Sequence, residues 1–89
     1  MPIHIYSEDK SSRQGMSLCA KSWDLPKQVA ALEAWLKKNK RKMKKGPYVA
    51  DIGFAVRKDA GGGGAVLPPA MMRAMADLGI SLFLSEYRL

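Results

Sequence analysis

LPKQVAALEAWLKKNKRKMKKGPYVADIGFAV, residues 25–56, decides the fold, because one period gives way to another at Gly46-Pro47. Leu25, Val29, Leu32, Leu36 and Met43 recur at helical spacing, with Asn39 the only polar residue on that stripe. Asp24 is placed to cap the first turn, and Pro26 is tolerated there because the first helical N–H groups have no partner within the helix. The spacing predicts a helix from Leu25 through the lysines, stopped by Gly46-Pro47. From Tyr48 to Val56 the period drops to two. Tyr48, Ala50, Ile52, Phe54 and Val56 share one face, and Val49, Asp51, Gly53 and Ala55 share the other, as in a strand.

On the N-terminal side, residues 2–6 suit a short extended segment. The polar stretch 7–15 ends in glycine and reads as a flexible loop. Residues 16–23 set Met16, Leu18 and Ala20 against Ser17, Cys19 and Lys21, which predicts a further strand. On the C-terminal side, residues 58–66 hold Gly61-Gly62-Gly63-Gly64 and read as a second flexible loop. Pro68-Pro69 opens a helix running to Leu78, with Met71, Ala74, Met75 and Leu78 as its apolar side and Gly79 just past its end. Ile80 to Tyr87 is a last strand.

The order is β(β)αβαβ over a single domain, residues 1–89, of the α+β class. Each helix joins two strands, so right-handed crossovers would place both helices on one face of a three- or four-stranded sheet. The result is a two-layer sandwich with the second sheet face open. Val49, Ala55, Phe83 and Tyr87 would lie on that open face. They are either simply exposed or a self-association surface, so a homodimer is one partner reading.

Seven of the nine residues from 37 to 45 are basic: Lys37, Lys38, Lys40, Arg41, Lys42, Lys44 and Lys45. The chain has 15 basic and 8 acidic residues, a formal net charge of +7, so without this run it is neutral. On a continuous helix the seven would cover roughly 200° of circumference, leaving the apolar stripe free. Cations are favoured near a helix C-terminus, but one or two would meet that need. Pairs such as Lys37/Arg41 and Lys38/Lys42 repel at i,i+4. The run therefore reads either as a solvated helix end or as a contact for nucleic acid, another polyanion or an acidic protein. Arg57 and Lys58 would extend it if the next strand ended nearby.

Other signals are weaker. Cys19 is the single cysteine and His4 the single histidine, so neither an internal disulfide nor a Cys/His metal site is expected. The start of the chain lacks the basic and apolar regions of a secretory signal, and no apolar run is long enough to span a bilayer, so a cytoplasmic location without membrane contact is expected. The four glycines precede a helix but are not followed by the Gly-Lys-Ser/Thr of a phosphate loop, which favours a plain loop. Met71, Met72 and Met75 read as core packing before docking surface. Asp24, Asp51, Asp59 and Glu86 are scattered, with no histidine partner or nucleophile motif beside them. No catalytic residue and no cofactor are expected, and the chain is not expected to be an enzyme.

Lys21-Ser22-Trp23-Asp24-Leu25, Leu32-Glu33-Ala34-Trp35-Leu36, Gly61 to Leu67, and Leu78-Gly79-Ile80-Ser81-Leu82 with Tyr87 together resemble a group of small uncharacterised bacterial proteins. That group has a Trp-x-Leu strand end, a helix, a strand, a glycine-containing loop, and a helix ending in Leu-Gly before a final strand. The resemblance spans about residues 21–87 and implies the fold and a bacterial or phage origin. The basic run and short N-terminus depart from it, and it transfers no functional residue. The expectation is a small non-enzymatic module engaging an anionic partner through the end of its first helix. The alternative is an inhibitor or immunity-type protein docking a basic helix on an acidic protein.

Overall fold

A computed structural model describes residues 3–8, 15–18 and 21–88 of the chain. Its elements are β1 (Ile3–Ser7), β2 (Gly15–Leu18), α1 (Leu25–Asn39), β3 (Tyr48–Ala55), α2 (Pro69–Leu78) and β4 (Ile80–Tyr87). They make an α+β fold in which both helices pack on one four-stranded mixed sheet of order β2-β1-β3-β4. β1 is antiparallel to both β2 and β3, whereas β3 and β4 are parallel. Cys19, residue 2 and residues 9–14 of the first loop lie outside the described residues.

α1 starts where its cap residue dictates. The Asp24 carboxylate accepts from the Lys27 amide at 3.2 Å, and the Asp24 carbonyl accepts from the Gln28 amide at 3.0 Å. The Lys27 amide, otherwise unpaired in the first turn, is thus satisfied, and the Asp24 carbonyl takes the first bond within the helix. Val29, Leu32 and Leu36 are buried against the sheet. Buried Gln28 joins them, its side-chain amide donating to the Ser22 carbonyl at 2.9 Å and the Gly53 carbonyl at 2.5 Å. Gly53 lies one residue beyond the last described β1–β3 pair, Ile3↔Ile52, so the Gln28 amide serves a carbonyl that the described ladder leaves without a strand partner.

The core combines Ile3 and Ile5 of β1, Ala50 and Ile52 of β3 and Ile80 of β4 with Val29, Leu32 and Leu36 of α1 and Met71, Met75 and Leu78 of α2. Met71 and Met75 are core residues, while Met72 is half exposed. At about 25 cal/mol per Å² of apolar surface removed from water, such contacts are the main force holding the layers together. The shortest dimension is 17 Å. A helix layer on a sheet fills that thickness, since packed layers lie about 10 Å apart, so the other sheet face has no covering layer among the described residues.

The structure departs from the periodicity in three places. The helix ends at Asn39 rather than running through Lys45: residues 40–42 form a turn, and 43–47 have no regular structure. Asn39 disfavours a helix interior because its side chain competes for backbone partners. Here its amide donates to the Trp35 carbonyl at 2.9 Å. Continuing the helix would also align the repelling lysine pairs. Second, β2 covers Gly15–Leu18 and not residues 16–23, because Lys21 lies in a turn and Trp23 in the approach to α1. The 7–15 loop is correspondingly shorter, with Ser7 in β1 and Gly15 in β2. Third, Val49 is on the open face yet buried, at 8% exposure, between Tyr6 and Ser81 of the flanking strands.

α2 ends as its sequence indicates. Gly79 adopts φ +73°, and its amide donates back to the Ala76 carbonyl at 3.1 Å, the left-handed stop that glycine takes without Cβ strain. Gly46 closes against it, donating its amide to the Leu78 carbonyl at 2.7 Å. A Cβ at Gly46 would strike the Tyr48 backbone amide and sit 2.9 Å from the Gly79 carbonyl oxygen. The peptide bond Gly46-Pro47 is cis.

Candidate anion-binding end

The basic run is built from three pieces. Lys37 and Lys38 occupy the last turn of α1, where the negative end of the helix dipole favours cations. Lys40 caps the helix, its amide donating to the Leu36 carbonyl at 2.9 Å, and the Lys42 amide donates to the Asn39 carbonyl at 2.9 Å. Lys44 and Lys45 follow in the irregular exit. That exit is held by two attachments: Met43 packs against the core, and the Tyr48 hydroxyl donates to the Lys44 carbonyl at 2.6 Å.

All seven cations are exposed, and none forms an ion pair among the described residues. Instead of one helical stripe they fan out from a helix end, a turn and a strand approach. α2 adds a cation that linear reading missed. Arg73 lines, with Lys40 and Arg41, a groove of about 370 Å³ between the α1 exit and α2, which also contains Asp77. A smaller recess of about 80 Å³ beside it is lined in part by Glu33, Lys37 and Lys40. Arg73 sits 32 positions beyond Arg41, so only helix packing brings it here.

Arg57 and Lys58 do not extend this cluster. The run enters β3 at Tyr48, and Arg57 leaves it beyond Ala55; eight strand residues separate the two by about 26 Å. The Arg57 guanidinium instead donates to the Gly62 carbonyl at 2.6 Å and packs on Gly63. It thereby shapes a cleft of about 570 Å³ whose lining includes Trp23, Phe54, Val56 and Glu86. This cleft is mostly apolar and lies at the opposite end of the sheet from the basic run.

The open sheet face gathers polar groups that look unrelated in sequence. His4 pairs in register with Ser17 on one side and Asp51 on the other. The Ser85 hydroxyl donates to the Asp51 carboxylate at 2.7 Å. The His4 ring meets Tyr6 at a 5.3 Å centroid distance, and no hydrogen bond joins it to Asp51 or Ser85. The Ser85 proton is therefore directed to a carboxylate and not to an imidazole base, unlike a nucleophile relay. Of the four residues proposed for self-association, Phe83 and Tyr87 are half exposed, Ala55 is partly covered and Val49 is buried. Tyr87 stacks edge-to-face on Trp23 at 5.5 Å.

Among the described residues, no group of three or more His, Cys, Asp or Glu side chains is placed to hold a metal ion, and no helix is long and apolar enough to cross a membrane. No family model matches the chain, and neither the curated proteins nor the solved structures include a match.

Proposed function

We propose that this chain is a small binding module that engages an anionic macromolecule, foremost a nucleic-acid backbone, through the C-terminal end of α1 and the exit that follows it. The observation that carries this reading is the concentration there of Lys37, Lys38, Lys40, Arg41, Lys42, Lys44 and Lys45, exposed and without ion pairs among the described residues. Like charges held this close are unfavourable until a counter-charge arrives. A phosphate backbone supplies one and releases its condensed counterions on binding. Arg73 sits where it would add to the contact. A second reading, docking on an acidic protein surface, is favoured by Glu33 and Asp77 beside the cations, since a surface of mixed charge complements a protein better than a uniform polyanion.

Fluorescence anisotropy with labelled single-stranded RNA and duplex DNA, over a salt series, tests the proposal. Each neutralised phosphate contributes a log–log slope of about −0.9 on duplex and about −0.7 on single strands. Changing Lys40, Arg41, Lys42, Lys44 and Lys45 to Gln should weaken binding and flatten the slope. Changing Arg57 and Lys58 to Gln, at the far end, should do neither. No binding at about 50 mM salt, the permissive end of the usual range, would sink the nucleic-acid reading and leave the acidic-protein one.

A further inference from the structure

β4 is an edge strand, with β3 on one side and no described strand on the other. The backbone bonds that flank it set which of its groups face outward. The Tyr48 amide donates to the Gly79 carbonyl and the Val56 amide to the Tyr87 carbonyl, so odd-numbered β4 residues direct their N–H and C=O toward β3. Ile80, Leu82, Leu84 and Glu86 therefore direct theirs away from the sheet, and no described residue takes them. The strand carries one charge, Glu86, and no proline or glycine. Leu84 is 47% exposed on the helix side and Phe83 54% exposed on the open side. Proteins usually blunt such an edge with lysine, proline or a bulge; here none of these is present.

We propose that this edge pairs with the same edge of a second copy, antiparallel about a two-fold axis at Phe83, making one continuous sheet across the dimer. The register follows from the strand. Residues directly opposite each other must share a sheet face and, at hydrogen-bonded positions, must both direct their backbone outward. Centring the axis on Phe83 pairs Leu82 with Leu84 and Ile80 with Glu86, which uses the outward groups of all four residues. It also places Phe83 against Phe83 at a close, non-hydrogen-bonded pair on the open face, where aromatic cross-strand contacts stabilise most.

Charge selects the same orientation. The basic run abuts the start of β4, because Gly46 and Tyr48 bond to Leu78 and Gly79. Parallel pairing would bring the two runs together. Antiparallel pairing sends them in opposite directions, each about 10 Å from the axis along the strand, so their separation exceeds the Debye length of about 8 Å at physiological salt. It also brings Glu86 opposite Ile80 of the second copy, beside that copy's basic end. This inference does not rest on the anion-binding reading.

Sedimentation equilibrium of the full chain from micromolar to millimolar concentration tests it, together with site-specific cross-linking. The expected mass approaches twice 9.8 kDa and persists in about 1 M salt, where charge contacts are screened. Leu84→Pro removes an outward N–H without touching the ladder to β3 and should return the protein to monomer. If that variant fails to fold, Leu84→Lys, which places a charge on the edge, gives the same reading. In a Cys19→Ser background, Phe83→Cys should form a disulfide-linked dimer under mild oxidation and Ser81→Cys should not. A monomer at every concentration, a dimer indifferent to the Leu84 variants, or equal cross-linking at positions 81 and 83 would overturn the proposal. Such a dimer would belong to another surface or another register.

Discussion

The two helices end differently. α2 stops at Gly79, a residue with φ +73° that an L side chain would strain to adopt. α1 has no such residue. It fades through Asn39 and a turn into an exit held by Met43 and Tyr48. The first kind of end is written in one residue. The second is a balance between weak local preferences and attachments made far along the chain. The basic run straddles the second kind of end, so its seven charges are spread over three backbone conformations.

Substitutions at the two ends can break this comparison. The largest effect is expected at Gly46, where the exit from α1 meets the cap of α2. Gly46→Ala would press a Cβ into backbone on both sides and should cost about 3 kcal/mol, the upper part of the overpacking range, read as a lowered urea midpoint. At Gly79 the space for a Cβ is ordinary, with the nearest atom at 3.5 Å, so only the left-handed backbone is penalised. Gly79→Ala should cost about 1–2 kcal/mol in the same assay. If Gly79→Ala proved the costlier of the two, the close approach at Gly46 would not be the joint between the ends.

Two milder changes sharpen the contrast. Asp24→Ala removes the side-chain acceptor at the start of α1 and should cost about 1 kcal/mol, by thermal or urea unfolding. Asn39→Ala removes the competitor for the Trp35 carbonyl and adds helix propensity, a change of a few tenths of a kcal/mol at most. Its signature is conformational: NMR Cα shifts of residues 40–42 should move toward helical values. Unchanged shifts would mean that the attachments at Met43 and Tyr48, rather than Asn39, end the helix.

Much of this fold was legible in the residues. The order of elements, the α+β class, the cap at Asp24, the stop at Gly79 and the core faces of β3 and α2 all follow from side-chain period and from residues with restricted backbones. The end of α1 was not legible, because an apolar Met43 at helical spacing serves a core contact from an irregular segment equally well. The basic cluster was legible as a run but not as a shape. Arg73 joins it and Arg57 leaves it for reasons that no local pattern contains: α2 packs beside the α1 exit, and β3 carries the chain to the other end of the sheet.

The sequence by itself determined the order of the elements, the core faces of β3 and α2, and the size and sign of the charge. Each of these depends on neighbours within a few residues: alternation, helical spacing, a cap, a glycine. The tertiary structure alone decided that β1 lies between β2 and β3 and that β4 is left as an edge. It also decided that His4, Asp51 and Ser85 share a face and that the basic run opens beside α2. Those outcomes depend on which strand pairs with which, and pairing is set by the burial of all the apolar faces at once.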